Sequence, residues 1–315
     1  MKAMNLSRAE VTMLACPRCG GPLSREPGGL SCAPCVVVYE ERGGVADLLP
    51  WSGRPALPPR EPVAVPSDRA SAMGPGAATM GGARPGRDWA TWGRKLDLFR
   101  EWRRCTWDGS ARAEERGRIA RELASAFFGF LALPEGACVL EIGCGSGDLR
   151  RYLSAARYWG LDPLLDAPPE GAQADGAVFL RAVGEHAPLA DGSFDAVLVC
   201  ETLDHAQDPR RLLGEARRVL RPGGVLGILQ SVRSHGPAAP LPARLRARAG
   251  RLKARLLGRR SVEDCETKVH PFERKELEDL VGSVLALDAA HSAGSVVFLR
   301  ARRPALGPAG RQGDS

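Results

Sequence analysis

Val139-Leu140-Glu141-Ile142-Gly143-Cys144-Gly145-Ser146-Gly147-Asp148-Leu149 is the stretch that decides how this chain is read. An apolar run ends near an acid, three glycines follow at alternate positions, and a helix is expected from about Asp148. That order predicts a buried strand, a sharp turn and a helix. Glycines at 143, 145 and 147 let the backbone bend tightly and approach a ligand that a β-carbon would exclude. Dinucleotide sites place their third glycine one residue later, as GxGxxG, and seat a pyrophosphate on the helix N-terminus. Here the spacing is GxGxG. Nineteen residues after Gly143 the next strand ends at Asp162, where a carboxylate can accept both hydroxyls of a ribose. A strand-ending acid at that distance is the second half of a nucleoside site.

Outward from this stretch the chain alternates strand and helix. Strands are expected at 138–143, 158–161, 177–181, 194–200, 225–230 and 295–299, several of them unbroken apolar runs suited to a sheet covered on both faces. Leu212, Leu213, Ala216, Val219 and Leu220 mark a helix between two of them, and Leu277, Leu280, Val281 and Val284 mark the last helix. Alternating βα units imply a doubly wound α/β sheet. Upstream, a helix is expected over about 113–130, with Ile119, Leu123, Ala126 and Phe127 on one side. Before it, Trp89, Trp92, Leu96 and Phe99 recur at helical spacing, with Trp102 and Trp107 following. They predict a lead-in over 87–133 that buries its aromatic face on the domain 87–303.

The N-terminal block, residues 1–50, carries a different signal. Cys16-Pro17-Arg18-Cys19 and Cys32-Ala33-Pro34-Cys35 are two CxxC pairs separated by twelve residues. Two such turns can aim four thiolates at one ion, a closed tetrahedral set that fits structural zinc. Gly20-Gly21 allows the tight backbone of a metal knuckle. A block this small buries little core, so metal would supply much of its stability. Nine cysteines, an odd number with four in close pairs, favour metal over disulfides. Residues 51–86, rich in Pro, Gly and Ala, are expected to form a flexible linker, and 304–315 a disordered tail. Met13-Leu14-Ala15-Cys16 faintly resembles a lipoprotein cleavage site, but nothing upstream is apolar enough to deliver it. No stretch approaches the ~18 apolar residues of a membrane-spanning helix, so a cytoplasmic location is expected. The net charge of +7 leans toward an anionic partner.

The catalytic half resembles the class I S-adenosylmethionine-dependent methyltransferases. The matching text is EIGCGSGDL, GLDP and PLADGSFDAVLVCETLDHAQDPRRLLGEARRVLRPGGVL, across about residues 137–230. The resemblance implies a Rossmann-like sheet of seven strands with a reversed final hairpin, preceded here by the small zinc ribbon. It implies S-adenosylmethionine as cofactor, with Gly143, Gly145 and Gly147 at the methionine moiety, Asp162 on the ribose and Glu141 behind the amino-acid end. Where family members often carry an Asp for the adenine amino group this chain has Val183; either Glu185 two residues on or backbone groups take that place, the alternative for Glu185 and His186 being a solvated loop. Cys144 and Cys200 read as small apolar side chains rather than nucleophiles, with Cys200 counted among the cofactor-lining residues.

Methyl transfer from a sulfonium is an in-line displacement, so alignment supplies much of the rate. His205 is the general-base candidate, at the carboxyl end of the fourth strand beside Glu201 and Asp204. His270 is a weaker one. The run Glu201–Pro209 resembles methyltransferases of quinone and natural-product biosynthesis and points to a small-molecule acceptor. The ribbon is similar over about 35 residues to that of rRNA guanine methyltransferases, which makes RNA the alternative acceptor. Residues 241–260, with eight Arg or Lys and no acid, offer an RNA backbone contact, an anionic-substrate contact or a membrane surface, or else a cover helix with a solvated basic face. A third reading is a non-catalytic adaptor that binds a protein partner through the ribbon.

Overall fold

Strand β6 (Cys138–Ile142) is buried along its whole length, as a strand must be when both faces of its sheet are covered. It lies in the middle of the computed structural model, which describes residues 6–50, 52–55, 96–97, 100, 111–153, 157–169, 171, 175–233 and 270–305. The basic stretch 241–260 and most of the linker, the aromatic lead-in and the tail fall outside these residues. Of the apolar residues picked out between 89 and 107, Leu96 alone is among the described residues, and it packs with Leu49 and Val183.

The N-terminal module holds α1 (Arg8–Thr12), β1 (Ser24–Glu26), β2 (Gly29–Cys32), β3 (Val37–Arg42), β4 (Val45–Asp47) and β5 (Arg54–Pro55). After α2 (Ala111–Leu131) come β6, β7 (Arg157–Leu161), β8 (Val178–Arg181), β9 (Phe194–Cys200), α3 (Pro209–Val219) and β10 (Leu220–Ser231). The chain closes with α4 (Arg274–Gly282), β11 (Ala286–Ala293) and β12 (Val296–Arg302). The strands run in the order β1-β2-β3-β4-β8-β7-β6-β9-β10-β12-β11, with β5 on β3. From β4 through β10 neighbours are parallel, and β12 and β11 are antiparallel.

The sheet therefore has twelve strands, not the expected seven. The reason is the module. β4 pairs with β8 through Ala46 to Leu180 and Asp47 to Arg181, and Leu48 N–H donates to the Arg181 carbonyl at 2.9 Å. Ala15 N–H donates to Pro188 O at 2.9 Å and Ala190 N–H to Met13 O at 2.8 Å, a second seam. An edge strand left open presents unpaired amides, and here the module covers it. Leu14, Leu30 and Leu48 of the module share one buried cluster with Leu140, Leu180 and Leu189.

A further departure is local. The helix expected after the glycine turn is a 3-10 segment, Asp148–Tyr152, whose Arg150 is buried and donates to Gly147 O at 2.8 Å and to Asp175 at 3.0 Å. β11, which has no strand pattern of its own in the sequence, forms with β12 the antiparallel hairpin at the sheet edge that the resemblance implied. Among the described residues no helix is long and apolar enough to cross a membrane.

Helices flank the sheet because their apolar residues share one side. α3 starts on Asp208, whose side chain accepts from Arg211 N–H, and on Pro209, and it buries Leu212, Leu213, Ala216 and Val219. α2 buries Ala124, Phe127 and Leu131. Gly227 of β10 makes room for that contact, since a β-carbon there would come 2.6 Å from Leu131. Phe127 meets Phe298 edge-on at 5.3 Å between ring centres. Phe127→Ala is expected to lower stability by about 3–5 kcal/mol in urea unfolding, the cost of a buried aromatic cavity.

Candidate active site

Chain order reverses between β6 and β9, and the crevice outside the strand ends at such a point is where open α/β sheets bind ligands. A cavity of about 530 Å³ lies there. It brings together Glu141, Gly143, Gly145, Asp162, Glu185, Cys200 and His205 of the sequence candidates. Gly147 is not among its lining residues. All three glycines have positive φ, but for different physical reasons. A β-carbon on Gly143 would strike the Thr202 side chain, and one on Gly147 would lie 2.6 Å from the Phe179 ring. Only Gly145 faces open space, with nothing within 4 Å of an added β-carbon. Two of the glycines thus serve protein packing, and one offers its surface to a ligand.

Asp162 closes the turn. Its Oδ2 accepts from Gly145 N–H at 3.0 Å and its Oδ1 from Leu164 N–H at 2.8 Å. An ionised carboxylate has acceptor capacity for more than two hydrogen bonds, so it can be held by backbone and also accept from a ligand. Glu141 is 3 % exposed, and the Tyr158 hydroxyl donates to its Oε2. Glu141 pairs in register with Gly160, so Tyr158, two residues earlier, stands on the same face of the neighbouring strand. That spacing was the signal available in sequence for a residue the motif reading missed. Burial pushes the Glu141 carboxyl up to about 8, against the lowering effect of the Tyr158 bond.

Val183 is fully buried beside Leu49 and Leu96 rather than on the cavity wall. Glu185 does line the cavity, with Oε1 accepting from Gln207 N–H at 2.8 Å, so the solvated-loop reading of Glu185 does not hold. Burial raises the Cys200 thiol well above its ordinary range, in keeping with a small apolar filler. Glu201 adopts φ 47°, a left-handed backbone rare for a residue with a side chain, and its Oε1 accepts from Ser231 N–H and Oγ, both at 2.7 Å. His205 closes the short 3-10 segment Leu203–His205 on the cavity wall, its Nε2 3.8 Å from buried Asp204 Oδ1. His270 stays outside the lining and stacks on Phe272, a helix-start contact.

The four module cysteines form a second site. Their sulfurs all lie within 4.8 Å of one another, with Cys16 to Cys35 at 3.9 Å and Cys19 to Cys32 at 3.6 Å. A tetrahedron with metal–sulfur bonds of about 2.3 Å spaces its sulfurs about 3.8 Å apart, so the set fits a zinc ion. Arg18 N–H points at Cys16 Sγ and Gly21 N–H at Cys19 Sγ, both at 3.4 Å, as amides do around a metal knuckle.

Residues 140–228 match the family model described as Methyltransferase domain. The chain is similar to a human protein named thiol S-methyltransferase TMT1B, 39% identical over 34% of this chain and 47% of that one. It is also similar to a ubiquinone biosynthesis O-methyltransferase of Xanthomonas axonopodis, 36% identical over 34% of this chain and 47% of that one. The chain thus spans about half the length of these curated relatives. Among solved structures, 1,6-didemethyltoxoflavin-N1-methyltransferase of Burkholderia thailandensis aligns over 69% of this chain and 89% of its own, with 19% identity and a TM-score of 0.48.

In the ligand-free chain Glu141 stays protonated well above the range where an unfolded carboxyl ionises. Its contribution to stability is full below pH about 4.5 and is lost as pH rises through about 8. Glu141→Gln should remove that loss. Urea unfolding at pH 5 and pH 8 is expected to show a smaller drop for the variant than for the wild-type chain, and equal drops would contradict the burial of a titrating carboxyl.

Proposed function

We propose that the chain is an S-adenosylmethionine-dependent methyltransferase acting on a small, largely apolar acceptor. The observation that carries this is the convergence on one cavity, at the switch point, of an unobstructed Gly145 backbone, the backbone-anchored Asp162 and the buried Glu141. In this reading Asp162 receives the ribose hydroxyls, Glu141 faces the amino-acid end, and Glu185 and Leu164 border the base. When bound, the cofactor supplies a methyl group already activated by a positive sulfur, so the acceptor needs alignment more than activation. Leu123, Ala124, Leu229 and Val296 line the same cavity and supply an apolar wall for the acceptor while excluding water. The printed names of the two curated relatives, a thiol and a ubiquinone-biosynthesis methyltransferase, support a small molecule over RNA. His205 takes the acceptor's proton, held at the rim by the Leu203–His205 turn. Zinc on Cys16, Cys19, Cys32 and Cys35 is structural, since all four positions of the tetrahedron are filled by protein. We place the protein in the cytoplasm, where these thiolates stay reduced.

Calorimetry with S-adenosylhomocysteine tests the cofactor assignment. One-site binding is expected, weakened on Asp162→Ala, and no heat at high ligand concentration contradicts the reading. His205→Ala should keep that affinity and lose about 100-fold or more in turnover once an acceptor is in hand. Unchanged turnover removes His205 as the base. Elemental analysis should find one zinc per chain, lost in Cys16→Ser.

A further inference from the structure

β4 leaves the four-cysteine module and enters the main sheet as the parallel neighbour of β8. Val45 and Asp47 of β4, and Leu49 two residues beyond it, each reach a different support of the cofactor cavity. Val45 is buried in one cluster with Tyr158, Cys144, Leu165 and Phe179. Tyr158 is the residue that holds Glu141, and Phe179 is the ring beside Gly147. Asp47 places Oδ2 at 3.5 Å from Arg181 Nη1, and Arg181 Nε donates to the Pro163 carbonyl at 3.3 Å, the residue after Asp162. Leu49 packs with Val183, and Leu164 of the cavity wall rests against that pair. The Asp47 and Arg181 side chains are only 11% and 16% exposed, so their attraction is little screened by solvent.

The path back to the metal is short. Cys32 ends β2, Cys35 lies just before β3, and β3 turns through Gly43-Gly44 directly into β4. Whatever fixes the four sulfurs fixes the start of that hairpin. Arg181 is also in reach of Asp166 at 3.6 Å, but Asp166 is largely exposed and follows the same loop, so Asp47 is the contact that ties the loop to the module.

We infer that Asp47 and Arg181 are positioning residues for Asp162, and that β4 couples the four-cysteine metal site to the cofactor cavity so that zinc and cofactor bind cooperatively. This rests on the methyltransferase reading of the cavity. Two sites joined through one rigid element share a coupling free energy, and that coupling is reciprocal. Loss of metal loosens β4 and with it the loop that presents Asp162. Cofactor, by ordering the loop, in turn holds β4 and the hairpin that carries Cys32 and Cys35.

The test uses the full zinc-loaded chain and S-adenosylhomocysteine. Asp47→Asn is expected to bind this ligand about tenfold more weakly with its zinc content unchanged, while Arg181→Lys, which keeps the charge and loses the planar fork, falls between it and the wild-type chain. Saturating S-adenosylhomocysteine should slow zinc transfer from the wild-type chain to a chromophoric chelator several-fold. That readout needs no variant, so it decides the matter even where Asp47→Asn fails to fold. A wild-type chain that binds the ligand, yet releases zinc at the same rate with and without it, overturns the coupling. A well-folded Asp47→Asn with wild-type affinity overturns the positioning role. A wild-type chain that does not bind the ligand contradicts the cofactor reading itself and this inference with it.

Discussion

The carboxylate of Asp162, gripped by the amides of Gly145 and Leu164, is the contact on which the rest of the site depends. It ties the turn after β6 to the end of β7 and fixes the distance between the open Gly145 backbone and the acid. A charged acceptor held by two N–H donors is pre-oriented, so little entropy remains to be lost when a ligand arrives. Around it the other constraints are steric. Thr202 presses on Gly143, Phe179 presses on Gly147, and both glycines are committed before any ligand is present.

A second constraint is electrostatic. Glu141 is buried where a carboxylate is costly, and its one hydrogen bond to Tyr158 does not offset that cost. The empty site therefore favours the protonated acid. A cation placed beside it, such as the ammonium of an amino acid, would favour the ionised form.

Much of the fold was legible because the central strands are buried on both faces. β6, β9 and β10 carry apolar runs at 138–140, 196–200 and 225–229, and α3 shows its apolar side at helical spacing. β11 was not legible. Its side chains are exposed or half-buried throughout, so it has no period, and its alanines suit a helix as well as a strand. Only pairing with β12 defines it. β4, three residues long, likewise carries no local signal, and its place comes from β8. The site followed the same rule. The glycines, Asp162 and Glu141 announce themselves by spacing along one segment, whereas Tyr158, Arg181 and Asp47 matter through neighbours distant in sequence, and Val183 could be placed in the core only once Leu49 was seen beside it. The four cysteines were legible from spacing alone, because a CxxC turn is a local geometry.

The central claim is a nucleoside ligand lying across the turn between β6 and the 3-10 segment that follows it. A crystal structure of the chain soaked with S-adenosylhomocysteine tests it most directly. The account predicts both ribose hydroxyls on Asp162 and the amino-acid end over Gly145, toward Glu141. Density for the ligand elsewhere, or a crevice closed by its own side chains at saturating ligand, would contradict it.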